Sequence, residues 1–207
     1  MINAQDFPKL ESPFIRETIN GQYVCTPKIV EKYRWIFNPD FVQAVEKIDG
    51  TNVSVICDGE KIVAIYNRKN HIPFFKKGYG YFYEGIQYAI DNNYFTPNSK
   101  GQFFGELCGP KINNNPLHLK QHVWYPFTRL RKKNTYKFWN NLDFTNKNDL
   151  ELYDIVSNVF KELWSLEIRR RHGTKEFAEG IVFYHNQTGE MCKLRRDMFD
   201  WYKDKRH

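Results

Sequence analysis

Hydrophobic and polar residues alternate along several short segments, with the period of two that is typical of β-strands. Two of these segments flank an Asp58-Gly59 turn and predict a β-hairpin, and a second hairpin is predicted around residues 187–189. The predicted strands cover residues 41–45, 53–57, 61–66, 102–107, 122–126, 180–185 and 190–195. Strands this short, joined by turns, are expected to pair in antiparallel sheets.

Two longer segments carry apolar residues at the spacing of an amphipathic helix. The pattern predicts one helix over residues 79–93 and another over residues 150–166, with Asn148 available as an N-cap for the second. The first forty residues contain Pro8, Pro13, Pro27 and Pro39, and we expect them to be irregular. Short strands outnumber helices and their order is mixed, which favours an α+β fold over a parallel doubly wound sheet.

The composition is that of a folded, basic protein. Of the 207 residues, 41% are hydrophobic and 17% aromatic, which excludes a disordered chain, and no apolar run is long enough for a membrane span. The 31 Lys and Arg exceed the 24 Asp and Glu by seven charges, a balance that fits a polyanionic partner. The length fits one domain, which we expect to cover residues 1–207.

Two features of the sequence predict a cytoplasmic location. The four cysteines lie far apart and include no C-x-x-C pair, so we expect neither a disulfide scaffold nor a zinc ribbon. The first ten residues carry Asp6 and Lys9 among few apolar residues, which does not fit a signal peptide.

The segment of greatest chemical interest lies between two predicted strands and reads Glu-Lys-Ile-Asp-Gly-Thr-Asn at residues 46–52. Taken alone, a K-x-D-G sequence is more typical of an exposed turn flanked by charges. In the alternative interpretation, the strand end directs Lys47 into a cleft, and Gly50 lets the backbone approach a ligand. A lysine amine attacks phosphorus only when neutral, and because its ordinary pKa is about 10.4, neighbouring cations must lower that pKa.

Charged residues elsewhere in the chain are candidate partners for this lysine. Lys193 and Arg195 lie two positions apart on a predicted strand, so their side chains share one face. Glu179 precedes one predicted strand, Glu106 lies near the end of another, and Arg68 follows the first hairpin. Each of these is weak alone, because such pairs of residues occur in any basic protein.

The order of these residues resembles the covalent nucleotidyltransferase superfamily, which contains ATP-dependent DNA ligases, RNA ligases and mRNA capping enzymes. Its members carry K-x-D-G, an arginine after the next hairpin, a strand-borne glutamate, E-G-x-V and a basic K-x-K strand. The matching positions are Lys47, Arg68, Glu106, Glu179, and Lys193 with Arg195. The resemblance covers nearly the whole chain. Arg195 stands where a second lysine is common, and it keeps the charge and can bind phosphate in a bidentate manner.

The residues around Lys47 are most similar to RNA ligases of the phage double-strand-sealing type. DNA ligases and capping enzymes usually have arginine two positions after the motif glycine, and this chain has Asn52. The resemblance implies an α+β fold with two antiparallel sheets and flanking helices, the ATP-grasp-like adenylyltransferase domain of the ligase and capping superfamily, with the nucleotide pocket between the sheets. The fourteen residues after Lys193 are too few for a C-terminal OB domain, and we expect them to form a small helix.

The resemblance also implies chemical roles. Lys47 would attack the α-phosphate of ATP and hold AMP as lysyl-adenylate. Arg68, Lys193 and Arg195 would surround the phosphates and favour the neutral lysine. Glu106 would accept a hydrogen bond from a ribose hydroxyl.

The remaining polar positions would orient the nucleotide and a metal ion. Asp49 and Glu179 would orient the lysine and Mg²⁺, mostly through water. Glu46 would contact the adenine edge through its backbone or its side chain, and Asn52 completes the nucleotide-binding set.

An aromatic residue after the Glu106 strand is expected to stack on the base. Trp124, Tyr125 and Phe127 are the alternatives, and at least two of them are expected to be ordinary core residues.

The sequence therefore predicts an ATP-dependent RNA ligase that joins 5′-phosphate and 3′-hydroxyl ends through lysyl-AMP and an adenylylated 5′ end. The expected cofactors are ATP and Mg²⁺, and the expected partner is RNA or a nicked nucleic-acid duplex. We expect a monomer with no membrane contact, and leave open a protein partner for substrate binding. The alternatives are a DNA nick-sealing ligase, a GTP-using capping-type guanylyltransferase, and a catalytically dead nucleic-acid-binding relative. Asn52 and the missing OB domain argue against the first two, and the complete set of charged positions argues against the third.

Two further patterns have simple interpretations. His118 and His122 have the spacing of a helical metal site, but Pro116 and Pro126 interrupt any continuous helix, so no metal site is expected there. The basic runs at residues 129–133 and 169–172 are either solvated surfaces or contacts to nucleic-acid phosphates.

Overall fold

The computed structural model describes residues 4–74 and 76–203, and the chain divides into two compact units. Unit 1 consists of Met1–Lys9 and Asp49–Lys133, and unit 2 consists of Leu10–Ile48 and Asn134–His207. One boundary between the units falls after Ile48, inside the K-x-D-G motif. That a single domain covers residues 1–207 stays a prediction.

Short strands and four-turn or shorter helices follow one another along the chain. The described strands are β1 (Phe14–Ile19), β2 (Gln22–Ile29), β3 (Val42–Lys47), β4 (Thr51–Asp58), β5 (Ile62–Asn67), β6 (Asn70–His71), β7 (Lys100–Cys108), β8 (Val123–Pro126), β9 (Gly180–His185) and β10 (Met191–Arg195). The described α-helices are α1 (Gly80–Asp91), α2 (Phe127–Lys133), α3 (Asp149–Lys161) and α4 (Leu166–His172). Described 3₁₀ helices cover Glu31–Phe37, Lys137–Asn141 and Arg196–Met198.

Unit 1 is built on an antiparallel sheet with the strand order β6-β5-β4-β7-β8. The predicted hairpin around Asp58-Gly59 forms its β4–β5 pair. Helix α1 buries Phe82, Ile86 and Ala89, whose spacing places them on one helical face. This face lies in the same hydrophobic cluster as inward-pointing residues of β4 and β7, and confirms the predicted helix over residues 79–93.

Unit 2 contains a three-stranded antiparallel sheet of order β10-β9-β3 and the separate β1–β2 hairpin. Its core joins alternate residues of β9 to α3, which buries Val156 and Phe160, and to Trp139. Asn148 caps α3 as predicted, and its side chain forms a reciprocal capping box with Glu151. With antiparallel sheets and flanking helices in the described residues, the α+β fold class is confirmed.

The expectation that the first forty residues are irregular is wrong. Asn20 and Gly21 have φ angles of +50° and +78°, the left-handed pair that closes a tight hairpin between β1 and β2. Pro13 precedes β1, and Pro27 lies in a strand of a two-stranded sheet, where an edge tolerates a residue without an N–H.

The helix predicted over residues 150–166 ends earlier than expected, and a separate helix begins at Leu166. Helix α3 ends at Lys161, and Ser165 starts α4 by accepting a hydrogen bond from Ile168 N at 3.1 Å. The Ser165 N–H donates to the Glu176 carbonyl at 2.7 Å, an extended-chain contact that a continuous helix would lack.

The small helix expected after Lys193 is limited, in the described residues, to a single 3₁₀ turn. After β10 the chain forms the three-residue 3₁₀ helix Arg196–Met198 and buries Phe199, while residues 204–207 lie outside the described part. None of the helices in residues 4–74 and 76–203 is long and apolar enough to cross a membrane.

Candidate active site

The predicted nucleophile lies at the end of a strand in unit 2. Lys47 is the last residue of β3 and pairs across the sheet with Gly180 of β9. Its Nζ lies 2.7 Å from Glu179 Oε2, and the two side chains are only 19% and 18% exposed. Arg195 Nη1 lies 3.9 Å from Glu179 Oε1. Unit 2 therefore brings Lys47, Glu179 and Arg195 together around one half-buried carboxylate.

Gly180 explains how β10 comes close enough to form this group. A Cβ on Gly180 would collide with the Leu194 carbonyl oxygen and lie 2.8 Å from Arg195 Cα. The glycine of the E-G motif is thus required by strand packing within unit 2. Lys193 is also half-buried and lies two residues before Arg195 on β10, so both project from the same face.

Glu46 precedes Lys47 on β3 but points into the interior of unit 2. It is 2% exposed, and its carboxylate accepts hydrogen bonds from Ser165 Oγ, from Asn134 Nδ2 at 2.7 Å and from Glu167 N at 3.0 Å. The side-chain contact to adenine predicted for Glu46 is therefore corrected, because this carboxylate is already enclosed. A backbone contact stays a prediction. Burial is the main cause of a raised pKa at Glu46, and the nearby Glu167 charge adds to it.

The basic run at residues 169–172 is only partly a free surface. Glu167 is fully buried, and its carboxylate pairs with Arg170 and with Arg171 Nε, the latter at 2.8 Å. Arg170 also donates to Asn134 Oδ1 at 3.2 Å. Two arginines of the run thus neutralise a buried acid of unit 2.

In unit 1, three predicted residues lie on neighbouring strands. Asn52 on β4 pairs directly with Glu106 on β7, and Arg68, which follows β5, donates its N–H to the Asn52 carbonyl at 3.1 Å. Arg68 has φ +54°, a left-handed turn just after the strand. The side-chain oxygen of Asn52, Oδ1, is buried and accepts no hydrogen bond from any described residue. The sheet of unit 1 thus groups an amide, an acid and a cation.

The K-x-D-G glycine is enclosed by protein atoms. A Cβ on Gly50 would lie 2.5 Å from the Leu107 carbonyl oxygen and 2.8 Å from Cys108 Sγ. The close approach that Gly50 permits is therefore that of β7, which differs from the ligand contact predicted from the sequence. Next to it, Asp49 Oδ1 accepts a hydrogen bond from Asn113 Nδ2 at 2.8 Å.

Two of the three aromatic alternatives belong to the core of unit 1. Trp124 and Tyr125 are 0% exposed, and Trp124 Nε1 donates to the Val53 carbonyl at 3.1 Å. Because neither offers a ring face to a base, Trp124 is corrected from base-stacking residue to core residue. Phe127 is half-buried at the start of α2, with its ring centroid 4.8 Å from that of Phe7, and its stacking role stays a prediction.

The family model that matches the chain is that of the RNA ligases, and it covers residues 40–200. The chain belongs to the RNA ligase family. The matched part of this family member contains every predicted site residue from Glu46 to Arg195.

Solved structures share the fold of this RNA ligase family member. The Naegleria gruberi RNA ligase with PPi is 15% identical with a TM-score of 0.50, and the match covers 92% of this chain and 57% of that chain. A mutant of the same ligase with AMP and Mn gives the same identity, TM-score and coverage. The chain thus spans less than two thirds of the solved ligases that it matches. No curated protein matches it.

The structure adds two contacts in the family member that the sequence pattern did not predict. Asp197 Oδ2 lies 3.0 Å from Arg195 Nη2, and an acid two positions after the basic strand is the only sequence signal for it. Asn113 reaches Asp49 from 64 residues away, and a run of three asparagines is its only signal.

His122, one of the two histidines at metal-site spacing, makes structural contacts within unit 1. Its Nδ1 lies 2.7 Å from Glu84 Oε2, and its Nε2 accepts from Lys111 N at 3.2 Å. The described residues also contain no group of three or more His, Cys, Asp or Glu side chains arranged to hold a metal ion.

Proposed function

We propose that the protein is an ATP-dependent RNA ligase of the phage double-strand-sealing type. It joins a 5′-phosphate to a 3′-hydroxyl through lysyl-AMP and an adenylylated 5′ end. We assign adenylyl transfer to residues 40–200, the part that matches the RNA ligase family. The observation that carries the proposal is the contact of the Glu179 carboxylate with both Lys47 and Arg195 in unit 2.

The first step forms a phosphorus–nitrogen bond at Lys47. The neutral amine attacks the α-phosphorus of ATP, the bond to the β-phosphate oxygen breaks, and pyrophosphate leaves. Glu179 Oε2, 2.7 Å from Lys47 Nζ, is placed to accept the proton that the ammonium must lose. Arg195 and Lys193 supply positive charge to the phosphates, so the main contribution of these residues is positioning and charge stabilisation.

The two later steps transfer AMP and then release it. An oxygen of the RNA 5′-phosphate attacks the phosphorus of lysyl-AMP, and the amine of Lys47 leaves. The 3′-hydroxyl then attacks the 5′-phosphorus, forms the phosphodiester and releases AMP. We assign Asn52, Arg68 and Glu106 of unit 1 to nucleotide and strand contacts, since the sheet register groups them.

A divalent cation is expected to assist these steps by neutralising phosphate charge. Asp49 and Glu179 provide the carboxylate oxygens that Mg²⁺ prefers, and we expect them to hold it mostly through water. Asp49 Oδ1 accepts from Asn113, so its orientation is already fixed within unit 1.

A reducing compartment and a monomeric state are part of the same proposal. The cysteines Cys25, Cys57, Cys108 and Cys192 are free and buried. Burial raises the pKa of the Cys25 and Cys57 thiols to about 11, so both stay protonated near neutral pH.

The deciding experiment is covalent labelling. The protein is incubated with α-labelled ATP and Mg²⁺ and denatured, and retained label is measured, with α-labelled GTP in parallel. We expect label from ATP alone, and its complete loss in Lys47→Ala. Lys28→Ala is the matched control, because Lys28 is an exposed lysine of unit 2 whose only ion pair within residues 4–74 and 76–203 is with Glu17. Label in Lys47→Ala would show that the nucleophile is another residue, and equal labelling by GTP would favour a capping-type enzyme.

A second assay separates RNA from DNA ligation. Matched nicks whose 3′-hydroxyl strand ends in RNA or in DNA are sealed under identical conditions. We expect faster sealing of the RNA end, because RNA is distinguished by its A-form shape and 2′-hydroxyls. Faster sealing of the DNA end would remove the RNA assignment and leave the adenylyltransferase assignment standing.

A further inference from the structure

The loop between β7 and β8 has an unusual backbone. Asn113, Asn114 and Asn115 follow one another with φ angles of +45°, +58° and +54°, and His118 has φ +50°. Left-handed residues other than glycine are uncommon, and they persist where surrounding contacts hold them. The contacts of these asparagine side chains are therefore informative.

The three asparagines share a backbone conformation but differ in what their side chains bind. Asn115 closes the loop on itself, because its Nδ2 donates to the Leu119 carbonyl and its Oδ1 accepts from Leu119 N, both at 2.9 Å. Asn113 Nδ2 donates to Asp49 Oδ1 at 2.8 Å and to the Gly50 carbonyl at 2.9 Å. The exposed Asn114 side chain forms no hydrogen bond with any described residue.

We infer that Asn113 is a positioning residue for the nucleotidyl-transfer motif. One amide group fixes both a carboxylate oxygen and a carbonyl oxygen of the K-x-D-G segment, two and three residues after Lys47. The inference rests on the proposed function, in which Asp49 orients the metal ion. A carboxylate held by a fixed donor starts in one orientation, so less reorganisation is needed when nucleotide and metal arrive.

The test compares Asn113→Gly with Asn114→Gly. Glycine adopts a positive φ without strain, so both variants keep the backbone and differ in the Asp49 and Gly50 contacts. At saturating ATP we expect Asn113→Gly to form lysyl-AMP about tenfold more slowly and to need more Mg²⁺ for its half-maximal rate, a loss of about 1.4 kcal/mol of transition-state stabilisation. Asn114→Gly should match the wild type in both measurements. Equal rates and equal Mg²⁺ dependence in the two variants would overturn the inference.

Asn113→Asp is a second variant, which keeps the side-chain size but replaces the amide donors by a carboxylate beside Asp49. It should show the same kinetic defect, and wild-type kinetics would count against the positioning role. Melting temperatures of all three variants show whether a defect reflects unfolding.

Hydrogen exchange separates this inference from the proposed function, because it needs no ligase activity. In the intact protein, residues 48–52 should exchange faster in Asn113→Gly than in Asn114→Gly. Absence of lysyl-AMP in the wild type would refute the proposed function, and unchanged exchange in Asn113→Gly would refute the contact itself.

A different observation in unit 1 points to a substrate contact. The segment before α1 and the first turns of that helix form an open cavity of about 480 Å³. Its lining residues are Phe74, Lys76, Lys77, Gly78, Gly80 and Tyr83. Phe74 is 47% exposed, and its ring centroid lies 5.4 Å from that of Tyr83.

The charge of this cavity is positive. Lys76 and Lys77 are both exposed, and neither forms an ion pair with a described residue. Lys76 Nζ lies 5.3 Å from the centroid of the Tyr79 ring, which keeps the ammonium beside an aromatic surface. A Cβ added to Gly78 or Gly80 would meet nothing within 4 Å, so the space beside the lysines is open.

We propose that this cavity, the Phe74 cradle, binds a nucleotide of single-stranded RNA. Stacking of a base on an exposed aromatic side chain such as Phe74 does not depend on which base it is, and Lys76 with Lys77 matches the phosphates on either side. The identity of the polyanion rests on the proposed function, whereas the aromatic and basic chemistry is read directly from the cavity. The cradle includes none of the side chains to which we have given an individual role in adenylyl transfer.

The test is binding of a fluorescent single-stranded oligonucleotide to the intact protein over a salt series. We expect Phe74→Ala to weaken binding by about 5-fold to 160-fold, the range for one lost stacked base. Lys76→Ala with Lys77→Ala should reduce the log–log salt slope by about 1.4, for two lost phosphate contacts. Phe138→Ala is the matched control, because Phe138 is an exposed phenylalanine that lies in unit 2, outside the cradle. This variant should bind the oligonucleotide as the wild type does.

Lysyl-AMP formation should be unchanged in these variants, which separates the cradle from the proposed chemistry. An oligonucleotide with abasic sites should bind equally to the wild type and Phe74→Ala, since no base is left to stack. Unchanged binding of the normal oligonucleotide by Phe74→Ala would overturn the cradle, even in a protein that forms lysyl-AMP.

Discussion

Adjacent residues of β3 meet two different surroundings. Lys47 is half-buried beside Glu179, whereas Glu46 is enclosed by Ser165, Asn134 and Glu167. Alternation along the strand accounts for this difference, since neighbouring side chains point to opposite faces. The proposed catalytic role of Lys47 and the structural role of Glu46 therefore fall on two consecutive positions of the motif.

The raised pKa of Glu46 predicts how stability depends on pH. Its ordinary value in an unfolded chain is 4.5, and burial raises it in the folded protein. Because the folded state then binds the proton more tightly, the free energy of unfolding should fall as pH rises from about 4.5 through the raised pKa. Urea unfolding across this range should show a shallower fall in Glu46→Gln. The exposed Glu60→Gln is the control, and identical pH profiles in wild type and Glu46→Gln would contradict the assignment.

Mutations of single residues should also separate the reaction steps. Removing the Lys193 or Arg195 side chain should slow the formation of lysyl-AMP. Both side chains project from the same face of β10, and Arg195 on this face lies beside Glu179. Asn52→Ala should leave that step largely intact and slow the final sealing step. Single-turnover assays starting from ATP, and from pre-adenylylated RNA, measure the two steps. The reverse pattern would show that nucleotide and polynucleotide contacts have been exchanged.

The charged residues of the site were predictable, but their enclosure was not. Lys47, Glu179 and Arg195 follow from the order of short motifs, each of which is local in sequence. The burial of Glu46 depends on partners 88 to 121 positions away, and no periodicity of β3 encodes them. Likewise, the core positions of Trp124 and Tyr125 depend on the packing of α1 and β7.

At the scale of elements, the N-cap residue of α4 makes a second hydrogen bond, to a buried carboxylate, that the N-cap residue of α3 does not make. Ser165 accepts from Ile168 N and also donates to the buried Glu46, whereas Asn148 caps α3 near the surface. Ser165 thereby links the start of a helix to the strand that carries Lys47.

Removing the two caps should therefore have unequal effects on stability. Asn148→Ala should cost about 1 kcal/mol, the typical value for a lost N-cap. Ser165→Ala should cost about 2 to 4 kcal/mol, because it also leaves a buried carboxylate without one donor. Equilibrium unfolding in urea measures both values, and Ser165→Thr should restore most of the loss. Equal destabilisation by the two alanine variants would mean that the contact with Glu46 contributes little.

The elements show why strand and helix prediction succeeded in some places only. The β9–β10 hairpin and α1 have clear periods and were predicted within a few residues. The β1–β2 hairpin has a strong turn signal at Asn20-Gly21, but the prolines in this part of the chain favoured an irregular structure. A strand tolerates proline at the edge of a sheet, and the edge position of these strands is visible only in the structure. The break between α3 and α4 follows from the bridge of Trp164 to Phe177, a contact between distant residues.

At the scale of the whole molecule, the excess of seven positive charges should govern RNA binding. Contacts of Lys and Arg with phosphates release counterions, so affinity should fall with a log–log salt slope of roughly −0.7 to −0.9 per phosphate neutralised. Binding of RNA measured by anisotropy over a salt series gives the slope. Substituting Arg131, Lys132 and Lys133 of α2 should reduce the slope, and a flat response in the wild type would show that these three residues are only solvated surface.

The strand that carries Lys47 is completed by residues far along the chain. β3 pairs with β9, residues 180–185, and Val45 forms a bridge with Thr135, so both contacts come from beyond residue 133. The chain emerges from the ribosome in order, and Asp49–Lys133 of unit 1 is available for folding well before β9 has been made. A nascent or prematurely terminated chain thus holds Lys47 without Glu179, Lys193 or Arg195. Under the proposed function, we expect no lysyl-AMP to form until translation has passed the end of β10.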